Sequence, residues 1–251
     1  MRIPRSNRTV RALSPPGLAA RLVVAVAVAG LLSAACDVHS TSGPGSGGSL
    51  PAIDFGAAES HGILAGSTLS CVDLGLINAD ASVWPGSAIT GFPPCVIMDE
   101  QHAADAYAQA AQGALTTAYN ELDGMACDAT LSSDLGGQTL QPGVYCSLSS
   151  QGLTGEMFLD ALGDADASFV IKSATTLTTA TAQVTLLNGA HARNVYWLVG
   201  SSATLGTGSA MKGNIVALTS ITLVDNATLL GRALARNGAV SLGNSNVITL
   251  P

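Results

Sequence analysis

The second half of the chain repeats a short segment in which apolar positions alternate with small or hydroxyl-bearing ones. Four such segments align without gaps and end in a leucine: residues 173–177, 201–205, 219–223 and 238–242. Successive side chains of a β-strand point to opposite faces, so we expect each leucine to point inward. The residue two places before it, which is Thr175, Ala203, Ile221 or Val240, is expected to point the same way.

The outward positions of these segments are then all small, and each segment offers a hydroxyl group. They are Ala174, Thr176, Ser202, Thr204, Ser220, Thr222, Ala239 and Ser241. Solvent-facing strand positions usually include charged or long polar side chains, and here there are none. The pattern therefore indicates a specialised surface.

Two further rows of short strands accompany these segments, one before and one after each of them. One strand of each row makes up a coil of about 18–20 residues, and Gly, Asn and Asp stand at the corners between the strands. One such coil cannot bury its inner face alone, so the coils must stack. The sequence predicts a mainly β fold, a three-sided β-solenoid.

One stretch has a helical periodicity instead. Residues 99–122 contain no proline, and their apolar positions recur at helical spacing: Ala104, Ala108, Ala111, Leu115, Ala118 and Leu122. We predict one long helix over about residues 99–122, beginning near Asp99 or Glu100, whose carboxylates suit the positive end of the helix dipole. A helix with one apolar stripe needs a partner, so we expect it to pack alongside the strands.

The N-terminal residues have the composition of a targeting segment. Five arginines precede an apolar run, and small residues lead up to Cys36, which predicts a signal peptide over residues 1–35. Residues 31–36, LLSAAC, resemble a lipobox, although Ser33 stands where leucine is usual. We expect export with a lipid anchor on Cys36, at the membrane or cell surface; cleavage after Ala35 and simple secretion is the alternative. A Gly/Ser-rich linker (36–50) and one domain (51–251) follow.

The content of charged residues indicates which kinds of partner the protein can bind. Only 11% of the residues are charged, less than half the usual share. After the predicted leader, five basic residues stand against 17 acidic ones, a net charge of −12. Binding to nucleic acid needs a basic patch, so we exclude it.

Four cysteines remain after Cys36, namely Cys71, Cys95, Cys127 and Cys146. An even number in an exported protein suggests two disulfides. Three pairings are possible, and we favour the sequence neighbours, Cys71 with Cys95 and Cys127 with Cys146. A metal site is disfavoured because no C-x-x-C spacing occurs and the histidines do not cluster with the cysteines.

Several segments together resemble the ice-binding protein family of bacteria, fungi and algae. They are LQPGVY (140–145), NVYW (194–197), GSSATLGT (200–207), KGNI (212–215) and GRALA (231–235). The resemblance covers roughly residues 51–251 and includes the position of the helix. It implies a discontinuous right-handed β-solenoid with one long helix beside it. It also implies a monomer that binds the surface of ice crystals, with no catalysis, cofactor or metal.

The resemblance also points to the binding residues. The family's ice-binding strands carry a loose Thr-Ala/Gly-x-Thr/Asn motif, and residues 219–222 match it best, which adds Thr219 to the outward set. Residues 238–241 depart from it most, so we expect ice contact to fade there. Physically, stacked strands place outward side chains on a grid of about 4.7–4.9 Å by 6.6 Å. Hydroxyls and methyls on such a grid can order water as ice does.

Two other classes of function fit a solenoid. A non-catalytic surface adhesin would bind carbohydrate through exposed aromatic residues, and the outward set contains none. A polysaccharide lyase would need clustered carboxylates and a basic residue for proton abstraction. Here the acids Asp160, Asp164 and Asp166 fall in a turn-rich stretch, and Lys172 and Lys212 stand apart.

Overall fold

The computed structural model describes residue 50 and residues 52–251. The predicted leader, the predicted anchor Cys36 and linker residues 37–49 lie outside this part of the chain. The described residues form a mainly β, right-handed, three-sided solenoid of parallel strands with one long α-helix, as the sequence predicts. Two short 3₁₀-helices, Gly56–Ala58 and Ala192–Asn194, complete the elements.

The first side, here called the helix face, is a nine-stranded parallel sheet. In stacking order its strands are β7 (Gln101–Ala103), β4 (Asp80–Val83), β1 (His61–Ala65), β20 (Ala233–Ala235), β17 (Asn214–Ala217), β14 (Val195–Val199), β12 (Phe169–Ser173), β10 (Gly143–Ser147) and β8 (Ala129–Thr130).

The second side, here called the hydroxyl face, carries the repeated segments. Its strands are β5 (Ala88–Thr90), β2 (Thr68–Cys71), β21 (Val240–Leu242), β18 (Ile221–Leu223), β15 (Ala203–Leu205) and the first halves of β13 (Leu177–Leu187) and β11 (Gln151–Asp160). The third side, here called the third face, contains β6 (Val96–Ile97), β3 (Gly75–Asn78), β22 (Asn246–Thr249), β19 (Thr228–Leu230), β16 (Ala210–Lys212), β9 (Thr139–Leu140) and the second halves of β13 and β11. The long strands β11 and β13 run through both faces and join them into one sheet.

The order of stacking differs from the order of the chain. The first coil, β1 to β3, pairs with the last coil, β20 to β22: Leu64 lies beside Leu234, Leu69 beside Val240 and Ile77 beside Ile248. After β7 the chain passes through the helix and resumes at the opposite end of the stack, where β8 pairs with β10. This is the discontinuous arrangement that the family resemblance implies.

The helix α1 spans Ala106–Gly124, so its predicted start near residue 99 is wrong. Asp105 is the N-cap, and its side chain accepts a hydrogen bond from the backbone N–H of Ala108 at 2.9 Å. Residues 101–103 instead form strand β7 against β4. Among the residues that the structure describes, no helix is both long and apolar enough to cross a membrane.

Two hydrophobic clusters hold the fold together. One fills the solenoid interior and includes Trp197 and the inward leucines of the repeated segments. The other lies between the helix face and α1, where Leu115 and Leu122 pack with outward residues of that face such as Leu234. The helix therefore covers one of the three sides, as predicted.

Both predicted disulfides are present. Cys71–Cys95 joins the end of β2 to the chain just before β6, and so ties together the two N-terminal coils. Cys127–Cys146 joins the segment after α1 to strand β10 of the helix face.

Candidate functional site

Outward side chains of the hydroxyl face line up in two straight columns across the stacked strands. The strand register places residues of the second column side by side, in the order Thr178, Thr204, Thr222, Ser241, Ser70 and Thr90. The first column lies two residues earlier along each strand and contains Thr176, Ser202, Ser220, Ala239, Thr68 and Ala88. The second column is thus an unbroken run of hydroxyl groups across six strands.

The register corrects the first of the four aligned segments. Leu177 pairs with Ala203 rather than with Leu205, so this strand is displaced by two residues from the predicted alignment. Thr176 keeps an outward position, because the N–H of Leu177 donates to the carbonyl of Ser202 in the neighbouring strand at 3.2 Å. Thr175, which was expected to point inward, is exposed. Thr178 takes the place beside Thr204.

Two other predicted site residues lie at corners rather than within the columns. Ala174 is exposed in the bend before β13. A Cβ atom at position 200 would lie only 2.2 Å from the carbonyl oxygen of Ala174, so position 200 accepts only glycine. Thr219 is exposed in the turn before β18, one residue ahead of Ser220. Both adjoin the hydroxyl face without belonging to its strands.

The N-terminal coils extend both columns, which the sequence analysis missed. Strands β2 and β5 stack beyond β21 and add Thr68, Ser70 and Thr90 to the hydroxyl-bearing positions. Ser241, expected to lie where the surface fades, is in the middle of the second column between Thr222 and Ser70. The strand register thus places Ser241 within the face, and the expectation that ice contact fades at residues 238–241 stays a prediction.

Hydrogen bonding differs between the serines and the threonines of the face. The hydroxyls of Ser202 and Ser220 lie 3.0 Å apart, and those of Ser70 and Ser241 lie 3.3 Å apart, so in each pair one hydroxyl donates to the other. Within the described residues, the hydroxyls of Thr204 and Thr222 have no protein partner. They are available to water, and each carries a methyl group beside the hydroxyl.

The surface is also rigid and uncharged. Beneath it, Leu205, Ile221 and Leu223 are fully buried and fix the strands from inside. The segments that form the two columns contain no charged residue. Side chains on such strands repeat about every 4.7–4.9 Å across the stack and about every 6.6 Å along each strand. The result is a flat array of hydroxyls and methyls at fixed positions.

The other two sides lack this combination. The helix face is covered by α1. The third face carries Glu156 and Lys212 at outward positions, and elsewhere has exposed apolar residues such as Val96 and Val247. Within residues 52–251, the hydroxyl face is therefore the side that no other element covers and whose strands place no charged side chain outward.

A serine–histidine pair elsewhere in the fold is not an accessible catalytic group. Nε2 of His61 lies 2.8 Å from the hydroxyl of Ser82, but both residues are fully buried. Burial is the main cause that lowers the pKa of His61 to about 4, so its ring is neutral at pH 7. In the described part of the chain, no group of three or more His, Cys, Asp or Glu residues is placed to hold a metal ion.

Comparison with known proteins assigns the family. The sequence model of the family described as ice-binding-like matches residues 63–248, most of the solenoid. The chain belongs to this family.

Relatives within the family share both sequence and fold. A protein of Nostoc sp. (strain HG1), named ice-binding protein, is 44% identical over 195 residues, which is 77% of this chain and 72% of the relative. The crystal structure of an ice-binding protein from the Antarctic ascomycete Antarctomyces psychrotrophicus superposes with a TM-score of 0.78 at 39% identity, covering 80% of this chain and 99% of that one. An ice-binding protein from an Antarctic biological consortium gives a TM-score of 0.79 at 43% identity, covering 80% and 92%.

Proposed function

We propose that this protein binds ice crystals through the hydroxyl face and thereby inhibits ice growth or recrystallisation. The observation that carries the proposal is the unbroken hydroxyl column from Thr178 to Thr90 on a rigid, uncharged and uncovered surface. The names of the relatives support the same assignment.

The geometry suggests how adsorption works. Each hydroxyl or methyl contact with ordered water is weak, but a rigid array adds many contacts without the entropy cost of ordering side chains. Charged side chains would hold their own hydration shells and interrupt the ordered layer, and these strands carry none. The methyl groups of Thr204 and Thr222 disfavour bulk-like water, while their free hydroxyls anchor the ordered molecules.

A matched pair of variants tests this proposal. Thr222→Tyr places a bulky ring in the middle of the second column, whereas Thr228→Tyr makes the same change at an exposed site on the third face of the same coil. We expect the first to abolish ice shaping and the inhibition of recrystallisation, and the second to leave both unchanged. Wild-type protein that leaves ice growth unaltered, or equal losses in the two variants, would contradict the proposal.

We also propose that the protein acts without catalysis. The buried position of Ser82 and His61 supports this, since a substrate cannot reach either side chain. Incubation with polygalacturonate, followed by ultraviolet absorbance for unsaturated products, is expected to give no signal. A rising signal would favour the lyase alternative.

Export, and the state of the exported protein, are further proposals. The two disulfides support an oxidising compartment, and a net charge of −12 after the leader opposes self-association, which supports a monomer. We propose that Cys36 carries the lipid anchor. Membrane fractionation tests this: wild-type protein should partition with membranes and Cys36→Ser should not. Equal partition of the two would exclude the anchor.

A further inference from the structure

A pocket of about 340 Å³ lies at the corner between the helix face and the hydroxyl face, beneath the first half of α1. Its lining is polar and aromatic and comprises Trp84, Pro85, Gln109, Gln112, Gly113, Thr116 and Arg236. The volume falls at the small end of the range of about 300–1,000 Å³ that is usual for ligand sites. Among the residues that the structure describes, no carboxylate lines it, although the protein as a whole is strongly acidic.

Arg236 is unusual among the packed basic residues of this fold. Arg232, four residues earlier, is buried and donates to Asn214 and Glu59. Lys172 likewise donates to carbonyl oxygens at the end of α1, at 2.7 and 3.0 Å. The side chain of Arg236 has no hydrogen-bond or ion-pair partner among the described residues, and its Nε atom is buried. A buried N–H donor without a partner, such as Nε of Arg236, is a costly arrangement unless a ligand or water completes it.

The guanidinium of Arg236 is also held in place. It stacks over the ring of Tyr119, with its carbon atom 4.8 Å from the ring centroid. Gln112, on the same helix, donates to the carbonyl of Ala235 at 3.1 Å and fixes α1 against the strand that precedes Arg236. The fork of N–H donors is therefore positioned before any ligand arrives, which reduces the entropy cost of binding.

We propose that this pocket binds an acidic saccharide, with the sugar's carboxylate on Arg236. A planar guanidinium matches a carboxylate through two parallel N–H···O bonds, and one unpaired positive charge balances one carboxylate. Trp84 supplies an aromatic surface for the apolar face of a sugar ring. Gln109 and Thr116 supply partners for ring hydroxyls.

The location gives this binding a role distinct from ice adsorption. Trp84 and Gly86 follow β4 into the corner, where their N–H groups donate to the carbonyls of Ala65 and Gly66. The pocket thus opens beside the hydroxyl face and not on it. A bound polysaccharide leaves the two columns free, so the protein can hold an acidic polymer and an ice crystal together.

Tryptophan fluorescence provides a direct assay. The protein contains two tryptophans, and Trp197 is fully buried in the solenoid interior, so ligand-dependent quenching reports Trp84. The probe is trigalacturonate at low ionic strength, compared with the neutral galactose trimer, sodium acetate and inorganic phosphate. We expect saturable quenching and binding heat with trigalacturonate alone.

Three variants assign the binding to the pocket. Arg236→Gln is expected to weaken the affinity about tenfold or more, since it removes a charge-assisted pair. Gln109→Ala, an exposed helix position, should weaken it less. Arg193→Gln removes the same charge from an exposed site elsewhere and should change nothing. If Arg236→Gln does not fold by circular dichroism, Arg236→Lys replaces it, with a loss expected because lysine lacks the fork.

Four results would overturn the proposal. They are absence of quenching with trigalacturonate, equal binding of the neutral trimer, equal binding of acetate or phosphate, and an Arg236 variant that binds as well as the Arg193 control. Ice activity is measured separately, and it should survive every substitution in this pocket.

Discussion

Ser70 and Ser241 share a hydrogen bond on the hydroxyl face, with their oxygens 3.3 Å apart, although 171 residues separate them in the chain. Their contact marks the seam where the N-terminal coil stacks on the C-terminal coil. The seam interrupts neither column of the face. Residues from the two ends of the domain therefore build one continuous surface.

A bulky residue at the seam should affect ice binding as strongly as one in the middle of the face. We expect Ser70→Tyr to remove most of the ice-shaping activity, because Ser70 lies between Ser241 and Thr90 in the second column. Leu76→Tyr, an outward change on the third face of the same coil, is the control. Ice-recrystallisation assays compare the two. Full activity in Ser70→Tyr would mean that the N-terminal coils take no part in adsorption.

The disulfide Cys71–Cys95 should stabilise the N-terminal coils. Replacing both cysteines with alanine is expected to lower the free energy of unfolding by about 2–4 kcal/mol, because the unfolded chain gains freedom when the link is lost. Urea denaturation of the double variant measures this. Replacement of Cys127 and Cys146 should give a loss of similar size at the other end of the stack. Unchanged unfolding midpoints in both variants would contradict a stabilising role.

The stability of the fold should decrease as the pH falls from about 6.5 to 4. Burial is the largest cause that lowers the pKa of His61 to about 4, whereas the unfolded chain has a value of about 6.5. Between these values the unfolded state binds the extra proton, so acid favours unfolding. Each unit of pKa difference corresponds to about 1.4 kcal/mol, so the free energy of unfolding should decrease by roughly 3 kcal/mol over this pH range. Denaturation by urea at several pH values measures the slope.

His102 should not produce this slope. Burial acts to lower its pKa, but its hydrogen bonds to Asp105 and Glu100 outweigh burial and raise the value above 6.5. The stability that it contributes is complete below pH 6.5 and is lost only as the pH rises through the raised pKa. We therefore expect His61→Gln to flatten the dependence between pH 4 and 6.5, and His102→Gln to leave it in place. If His102→Gln flattened the dependence and His61→Gln did not, the assignment of the slope to His61 would be contradicted.

Arg232 should contribute more to stability than its acidic partner. Arg232→Met leaves the buried Oδ1 of Asn214 without its 2.8 Å donor and releases the backbone carbonyl of Glu59, so we expect a loss of about 1–3 kcal/mol. Glu59→Gln should cost less than about 1 kcal/mol, because the Glu59 side chain is 62% exposed and the carbonyl contact remains. Thermal and chemical denaturation test this ranking. Equal losses would show that the ion pair, rather than the buried hydrogen bonds, holds Arg232.

Sequence alternation predicted the row of Leu205, Leu223 and Leu242 correctly, because an inward leucine with small outward neighbours allows only one orientation of each strand. It could not place Leu177. A strand displaced by two residues shows the same alternation, so the pattern is equally satisfied in either register. Hydrogen bonds between strands decide the matter, and they put Leu177 beside Ala203.

Neither the first residue of α1 nor the pairing of the N-terminal coil with the C-terminal coil can be predicted from local sequence, because tertiary contacts decide both. Asp99 and Asp105 are both suitable capping residues, and only the pairing of residues 101–103 with β4 selects Asp105. The position of Ser70 beside Ser241 leaves no local signal in either segment. The family resemblance implied a discontinuous stack, but it did not give the register that extends the hydroxyl columns.

The interleaved order of the coils also constrains how the protein can be made. Strands β20 to β22 are synthesised after every other strand that the structure describes, yet they lie in the interior of the stack between β17 to β19 on one side and β1 to β3 on the other. A chain that stops before residue 233 leaves the first coil paired only with β4 to β6 and without its neighbour on the other side. Folding therefore cannot proceed coil by coil from the N-terminus during synthesis. The N-terminal coils can join the rest of the stack only after residues 233–249 have been synthesised, and without those residues the strands form two stacks linked by α1 rather than one shorter solenoid.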